Sequence, residues 1–205
     1  MKKILLILLA LLTLVMGTAY ADKNRFKDAT YNFQKIHSIH LSSISNQLSP
    51  ANNTNMPATD PGVKVEIALR NALLKRNVQL MSGEEAFGVI HQADVSVTIR
   101  KLGSGRWWKA PWDEEVTENE KTIAKDEHGH DVVVYIPVQR YIHHDGEWQY
   151  EAYADLDLTL KDMDTGKIVY TVQDNRVRGG TTDFEGMLGR ICGDFAKDVT
   201  PEMYR

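Results

Sequence analysis

The stretch WQYEAYADLDLTLKDMDTGKIVYTV, residues 148 to 172, decides the fold. From Trp148 to Lys161 it alternates strictly. Trp148, Tyr150, Ala152, Ala154, Leu156, Leu158 and Leu160 fall on one side, and Gln149, Glu151, Tyr153, Asp155, Asp157, Thr159 and Lys161 on the other. A period of two marks a strand with one buried and one wet face. Asp164-Thr165-Gly166 then turns the chain into a second strand over 167–177, with Ile168, Tyr170 and Val172 on one side. Beyond it, Thr182 and Glu185 have the spacing of a capping box. Phe184, Leu188, Ile191, Cys192, Phe195 and Val199 follow at helical spacing, which predicts a closing amphipathic helix packed on the sheet.

Upstream, Ala93 to Leu102 alternates in the same way, with Val95, Val97 and Ile99 against Asp94, Ser96, Thr98 and Arg100. Val78 to Met81 reads as a short strand, Glu84 to His91 as a short helix, and 35–44 as a first strand. Asp60 before Pro61 is an N-cap followed by a proline at the first helical position. The helix it opens sets Val63, Ile67 and Leu74 on one stripe, with Ala68 and Leu73 beside it. These elements predict an α+β two-layer sandwich, a mixed and largely antiparallel sheet with two main helices on one face. Residues 35–205 form one domain on this reading, and 22–34 an N-terminal extension.

Residues 1–21 carry Lys2 and Lys3, an apolar run from Ile4 to Met16, and Ala19-Tyr20-Ala21. That is the pattern of a secretory signal peptide cleaved after Ala21, and it implies a periplasmic or secreted protein. No later stretch is long and apolar enough to span a bilayer. A net charge of −4 with mixed signs gives no nucleic-acid surface. Cys192 is the only cysteine of the 205 residues, so no intrachain disulfide forms. G-x-S-x-G, H-E-x-x-H, P-loop and C-x-x-C patterns are all absent from the sequence. No cofactor is implied, and the expected role is not enzymatic.

Two constellations remain. EHGHDVVVYIPVQRYIHHDGEW, residues 127 to 148, puts four histidines at the ends of an apolar run. Matching its even-numbered apolar positions to the strand beginning at Trp148 predicts a hairpin with Ile142 opposite Trp148 and Val134 opposite Leu156. His144-Asp145-Gly146 is then the loop, with Gly146 in its left-handed position. An extended run separates the two histidine pairs by roughly 43 Å at about 3.3 Å per residue, too far for one metal ion. His128 and His130 alone are a surface metal candidate, with Asp126, Glu127 and Asp131 nearby; otherwise they belong to a charged turn. Trp107, Trp108 and Trp112 in GSGRWWKAPW either form an exposed lip for a peptide, glycan or lipid headgroup or fold over an open end of the core. Val133, Tyr135, Tyr141 and Tyr153 are expected together on the outer face of the sheet, a second place for a partner or another copy of the chain.

The order of these elements, with ALLKRNVQL ending the first helix, ADVSVTIRKL opening the core hairpins and LTLKDMDTGKIVYT before the closing helix, resembles small exported α+β domains of the bacterial cell envelope. The D-x-D-T-G-K turn at 162–167 belongs to the same resemblance. It covers uncharacterised Gram-negative lipoprotein families and, more distantly, the domain of the curli secretion lipoprotein. It implies a non-catalytic binding or assembly domain acting on an envelope protein, peptide or glycan, or on itself; this chain lacks the lipid-bearing cysteine. The rival expectation is a periplasmic metal- or haem-binding protein using His128 and His130.

Overall fold

The computed structural model describes residues 19–48 and 60–200. Most of the expected signal peptide thus lies outside the described residues. The described strands are β1 (Ala19–Lys27), β2 (Ser38–Asn46), β3 (Gln79–Met81), β4 (Ala93–Lys109), β5 (Trp112–Lys125), β6 (Asp131–His144), β7 (Glu147–Asp162) and β8 (Ile168–Gly179). The helices are α1 (Pro61–Leu74) and α2 (Phe184–Val199), with short 3₁₀ turns at Phe33–Lys35 and Gly83–Ala86. The chain divides into two compact units. One runs up to Gly105 and resumes at Tyr150; the other is Arg106 to Gln149.

The larger unit is the α+β sandwich that the alternation predicts. Its six strands run in the order β1-β8-β7-β4-β2-β3. β8 is antiparallel to both β1 and β7, and β2 is parallel to both β3 and β4. Leu156, Leu158 and Leu160 of β7 and Val95, Val97 and Ile99 of β4 are fully buried or nearly so. They join Val65, Leu69 and Leu73 of α1 and Leu188, Ile191 and Phe195 of α2 in a single core. Cys192 is part of that core.

Three local expectations change. Val63, Ile67 and Leu74 are exposed, while Val65, Leu69 and Leu73 face the core. The stripe through Val63 and Ile67 is interrupted by Arg70 and Asn71 one turn on. The stripe through Val65, Leu69 and Leu73 is continuous at a spacing of four and is flanked by the small Ala68 and Ala72. α2 is capped by Asp183, whose Oδ1 accepts from Gly186 N at 2.8 Å, and not by Thr182. Residues 19–27, with most of the expected extension's first half, are an edge strand. Lys23, Arg25 and Lys27 alternate on one side of it, and the first two reach Asp194 or Asp198 on successive turns of α2. Tyr170 of β8 donates its hydroxyl to the same Asp198 at 2.8 Å, and Arg176 bridges Asp174 and Asp194, each at 2.7 Å.

The 162–167 turn is a structural hub. Asp162 is 1% exposed. Its Oδ1 accepts from Thr165 N at 2.8 Å and Thr165 Oγ1 at 2.7 Å, and its Oδ2 meets Lys35 Nζ at 2.8 Å. Gly166 takes φ 69°, as the turn requires. Burial alone would raise the Asp162 carboxyl, but Lys35 and the Thr165 donors outweigh it and hold it well below the usual carboxylate range. A depressed folded-state value stabilises the fold above the unfolded value of about 3.9 and ceases to do so as pH falls through the folded one. Asp162→Ala is expected to cost about 2 kcal/mol or more at neutral pH in urea unfolding. The wild-type and variant stabilities should converge as the pH is lowered below about 4; parallel curves down to the acid limb would contradict this role.

Candidate functional site: a two-stranded ribbon

The smaller unit is built around a ribbon in which β5 and β6 pair antiparallel along their whole length, from Trp112↔His144 to Lys125↔Asp131. The hairpin expected between β6 and β7 does not form, because both edges of β7 are taken, by β8 and β4. β6 turns instead to β5, the segment preceding it. The connecting turn explains the choice. Asp126 Oδ1 accepts from His128 N at 2.9 Å and His130 N at 2.8 Å, Asp126 N donates to His130 O at 2.9 Å, and Gly129 stands at φ 79°.

His128 and His130 are therefore the arms of that turn. Their rings lie 6.3 Å apart and inclined by 57°, and His130 Nδ1 is 3.3 Å from Asp126 Oδ2. Asp126, a would-be oxygen ligand, is occupied as the cap; the His130 and His128 amides draw its carboxyl below the ordinary value. Among the described residues no three His, Cys, Asp or Glu side chains are gathered as a metal site. At the opposite end His143 and His144 face Asp113 (2.7 Å) and Glu114 (2.9 Å). Two other histidines are neighbours in the larger unit: His40 and His91 stack at 5.5 Å, with His40 bonded to Asp94 and His91 buried.

Cross-strand partners share a face, so the register sorts the ribbon's side chains. One face carries Val132, Val134, Ile136, Val138 and Ile142 of β6, opposite Ala124, Thr122, Glu120, Glu118 and Glu114. Arg140 on this face pairs with Glu118 and Glu120. Expected in the core, Ile136 is 49% exposed and Val132, Val134 and Ile142 are exposed as well. The other face carries Val133, Tyr135 and Tyr141, also exposed, with Ile123 opposite Val133. Tyr153 lies on β7 in the larger unit, where burial raises its hydroxyl. Among the described residues each ribbon strand keeps one unpaired edge, since the second sheet contains β5 and β6 alone.

The tryptophans gather at the base of the ribbon. Trp108 meets Trp148 edge to face at 5.5 Å, and Trp112 stacks on His144 at 4.6 Å and 9°. Arg106 lies over Trp148 and Lys109 over Trp112. This knot is intermediate between the two sequence readings, because Trp107 and Trp108 remain about half exposed. Gly146 is required for a reason other than turn geometry. A Cβ there would come within 2.4 Å of Trp108 Cζ2 and 3.0 Å of Pro111 Cδ, and its φ is not among the left-handed ones.

A different concavity lies in the larger unit, a groove of about 600 Å³ between α1 and α2. Ile67 and Leu188 line it with Gly189 and Gly193, and nothing approaches the position of a Cβ on either glycine. No helix among the described residues is long and apolar enough to cross a membrane.

No protein-family model matches the chain, and no curated protein matches it. Among solved structures, a PelC dodecamer from Paraburkholderia phytofirmans is similar with a TM-score of 0.52 at 9% identity, covering 90% of this chain and 100% of that one. A substituted PelC dodecamer from the same organism gives 0.51 at 10% identity with the same coverage. At these identities the likeness is one of fold.

Gly146→Ala should push Trp108 out of its contact with Trp148. The expected cost to the ribbon base is about 1 to 3 kcal/mol, the usual range for overpacking. Near-ultraviolet circular dichroism would report it as lost tryptophan signal at an unchanged far-ultraviolet spectrum; an unaltered near-ultraviolet spectrum would refute the packing.

Proposed function

We propose that this chain is a non-catalytic cell-envelope assembly domain, exported on the signal-like segment at 1–21, whose β5–β6 ribbon docks on a second copy of itself. The observation that carries the reading is the uncovered apolar face of the ribbon, Val132, Val134, Ile136, Val138 and Ile142, on a two-stranded sheet with both edges unpaired. Open edges and uncovered apolar faces are where proteins add strands or partners. Charge selects the orientation. β5 carries Asp113, Glu114, Glu115, Glu118 and Glu120 against Lys121 and Lys125, whereas β6 carries only Asp131 and Arg140. Two β5 edges repel, so the favoured contact sets β6 of one copy beside β5 of the next. Such a head-to-tail contact builds a ring where the rotation between copies closes and a filament where it does not. The fold likeness to PelC, known as a dodecamer, supports an assembly of this kind.

The non-catalytic part of the reading rests on the state of the polar groups. Ser38 Oγ lies 2.7 Å from His91 Nδ1, but both residues are buried and His91 Nε2 is turned to the Ala86 carbonyl at 3.2 Å. That hydroxyl completes a core hydrogen bond.

Size-exclusion chromatography with light scattering tests the proposal. The wild-type protein should form a concentration-dependent assembly, and Val134→Lys with Ile136→Lys should reduce it to monomer at an unchanged far-ultraviolet spectrum. A wild type that stays monomeric at every concentration, or a doubly substituted protein that assembles as before, would overturn it.

A further inference from the structure

The groove between α1 and α2 has an apolar floor and an uneven distribution of charge. Along α1 it follows Lys64, Ile67, Ala68, Asn71, Ala72 and Lys75, one stripe at spacings of three and four. That stripe covers about 16 Å of helix at about 1.5 Å per residue. On α2, Leu188 is buried, and Gly189 and Gly193 add no side chain. Ile67 stands beside this floor with 54% of its surface exposed. Neither glycine takes a left-handed φ, and nothing lies within 4 Å of a Cβ built on either. Glycine weakens a helix relative to alanine, so what these two positions gain is an open groove. Where both helices begin, Lys64 pairs with Glu185 and lies over the Phe184 ring at 5.7 Å. At the other end Lys75 and Arg76 follow the last turn of α1, and among the described residues neither has a carboxylate partner. The lining thus sets Lys64, Lys75 and Arg76 against Glu185 alone, in a chain whose net charge is −4. Cations at a helix C-terminus answer its dipole; that does not account for the apolar floor beside them.

We infer that this groove binds a fatty carboxylate, its hydrocarbon tail laid along Ile67, Ala68, Ala72 and Leu188 and its head at Lys75 and Arg76. A volume of about 600 Å³ is that of a small-molecule pocket. The Lys64 to Glu185 pair bridges the helices at one end, which suits a ligand lying with its head at the other end and not a partner helix that must run through. Apolar burial supplies the affinity, roughly two- to fourfold for each methylene laid on the floor. The two uncommitted cations supply the choice of an anionic head, through charge-assisted hydrogen bonds. The groove lies wholly in the larger unit, so it stands or falls independently of the docking reading of the ribbon.

The test is isothermal titration calorimetry of the purified protein with decanoate, decanol and decyltrimethylammonium, each below its micellar concentration. Decanoate should bind saturably at one per chain, about tenfold or more tighter than either of the others. Shortening it to hexanoate should weaken binding by at least about tenfold. Gly189→Leu fills the groove with a better helix former, so it should abolish decanoate binding while the melting temperature stays level or rises. Lys75→Gln with Arg76→Gln should bring decanoate down to the affinity of decanol and leave decanol unchanged; if the leucine variant does not fold, this pair decides. Equal affinity for the three amphiphiles, decanoate binding that survives the substitutions, or binding to phosphatidylglycerol vesicles without binding to free decanoate overturns the inference.

Discussion

The strict alternation of β7 is the constraint on which the rest depends. From Ala152 to Leu160 one side of the strand is all alanine and leucine, fully buried, and must lie under the helices, which fixes its face. β8 and β4 then occupy both of its edges. With no edge of β7 left, β6 has to find its pairing elsewhere. The Asp126 turn offers β5 at the smallest loop-closure cost, and the ribbon follows from that exclusion. The valines of β6 do not reach the core because the positions they would need are already filled.

A second layer of constraint is ionic and concerns the sheet's margin. β1 contributes little apolar surface, yet it is held to α2 by cations at alternate positions meeting carboxylates one helical turn apart. Tyr170 and Arg176 of β8 feed into the same pair. Individually such exposed pairs are weak. Their joint effect is to fix the phase of α2 relative to β1 and β8, which aligns its apolar stripe with the leucines of β7.

The sandwich was legible because its signal is periodic: the alternation of β4 and β7, the turn at 164–166 and the stripe of α2 all appear where the sequence places them. β1 was missed because its signal is split. The spacing of Lys23, Arg25 and Lys27 becomes a strand pattern only when set against Asp194 and Asp198, some 170 residues further on. The ribbon was misread for the opposite reason. Period two in β6 fixes a face but not a neighbour, and burial of the valines points to β7 where edge availability decides for β5. Histidine spacing only separates the two pairs along one strand, and the stacking of His40 on His91 had no local signal at all.

Cys192 shows how packing can settle a chemical question. Its thiol has no exposed surface, and burial, with Asp174 contributing, pushes its pKa up to about 12. Disulfide exchange proceeds through the thiolate and needs access to it, and at neutral pH this residue provides neither. The chain can therefore pass through an oxidising compartment at high local concentration without covalent cross-linking. Any assembly it forms in the folded state is held by noncovalent contacts and remains reversible.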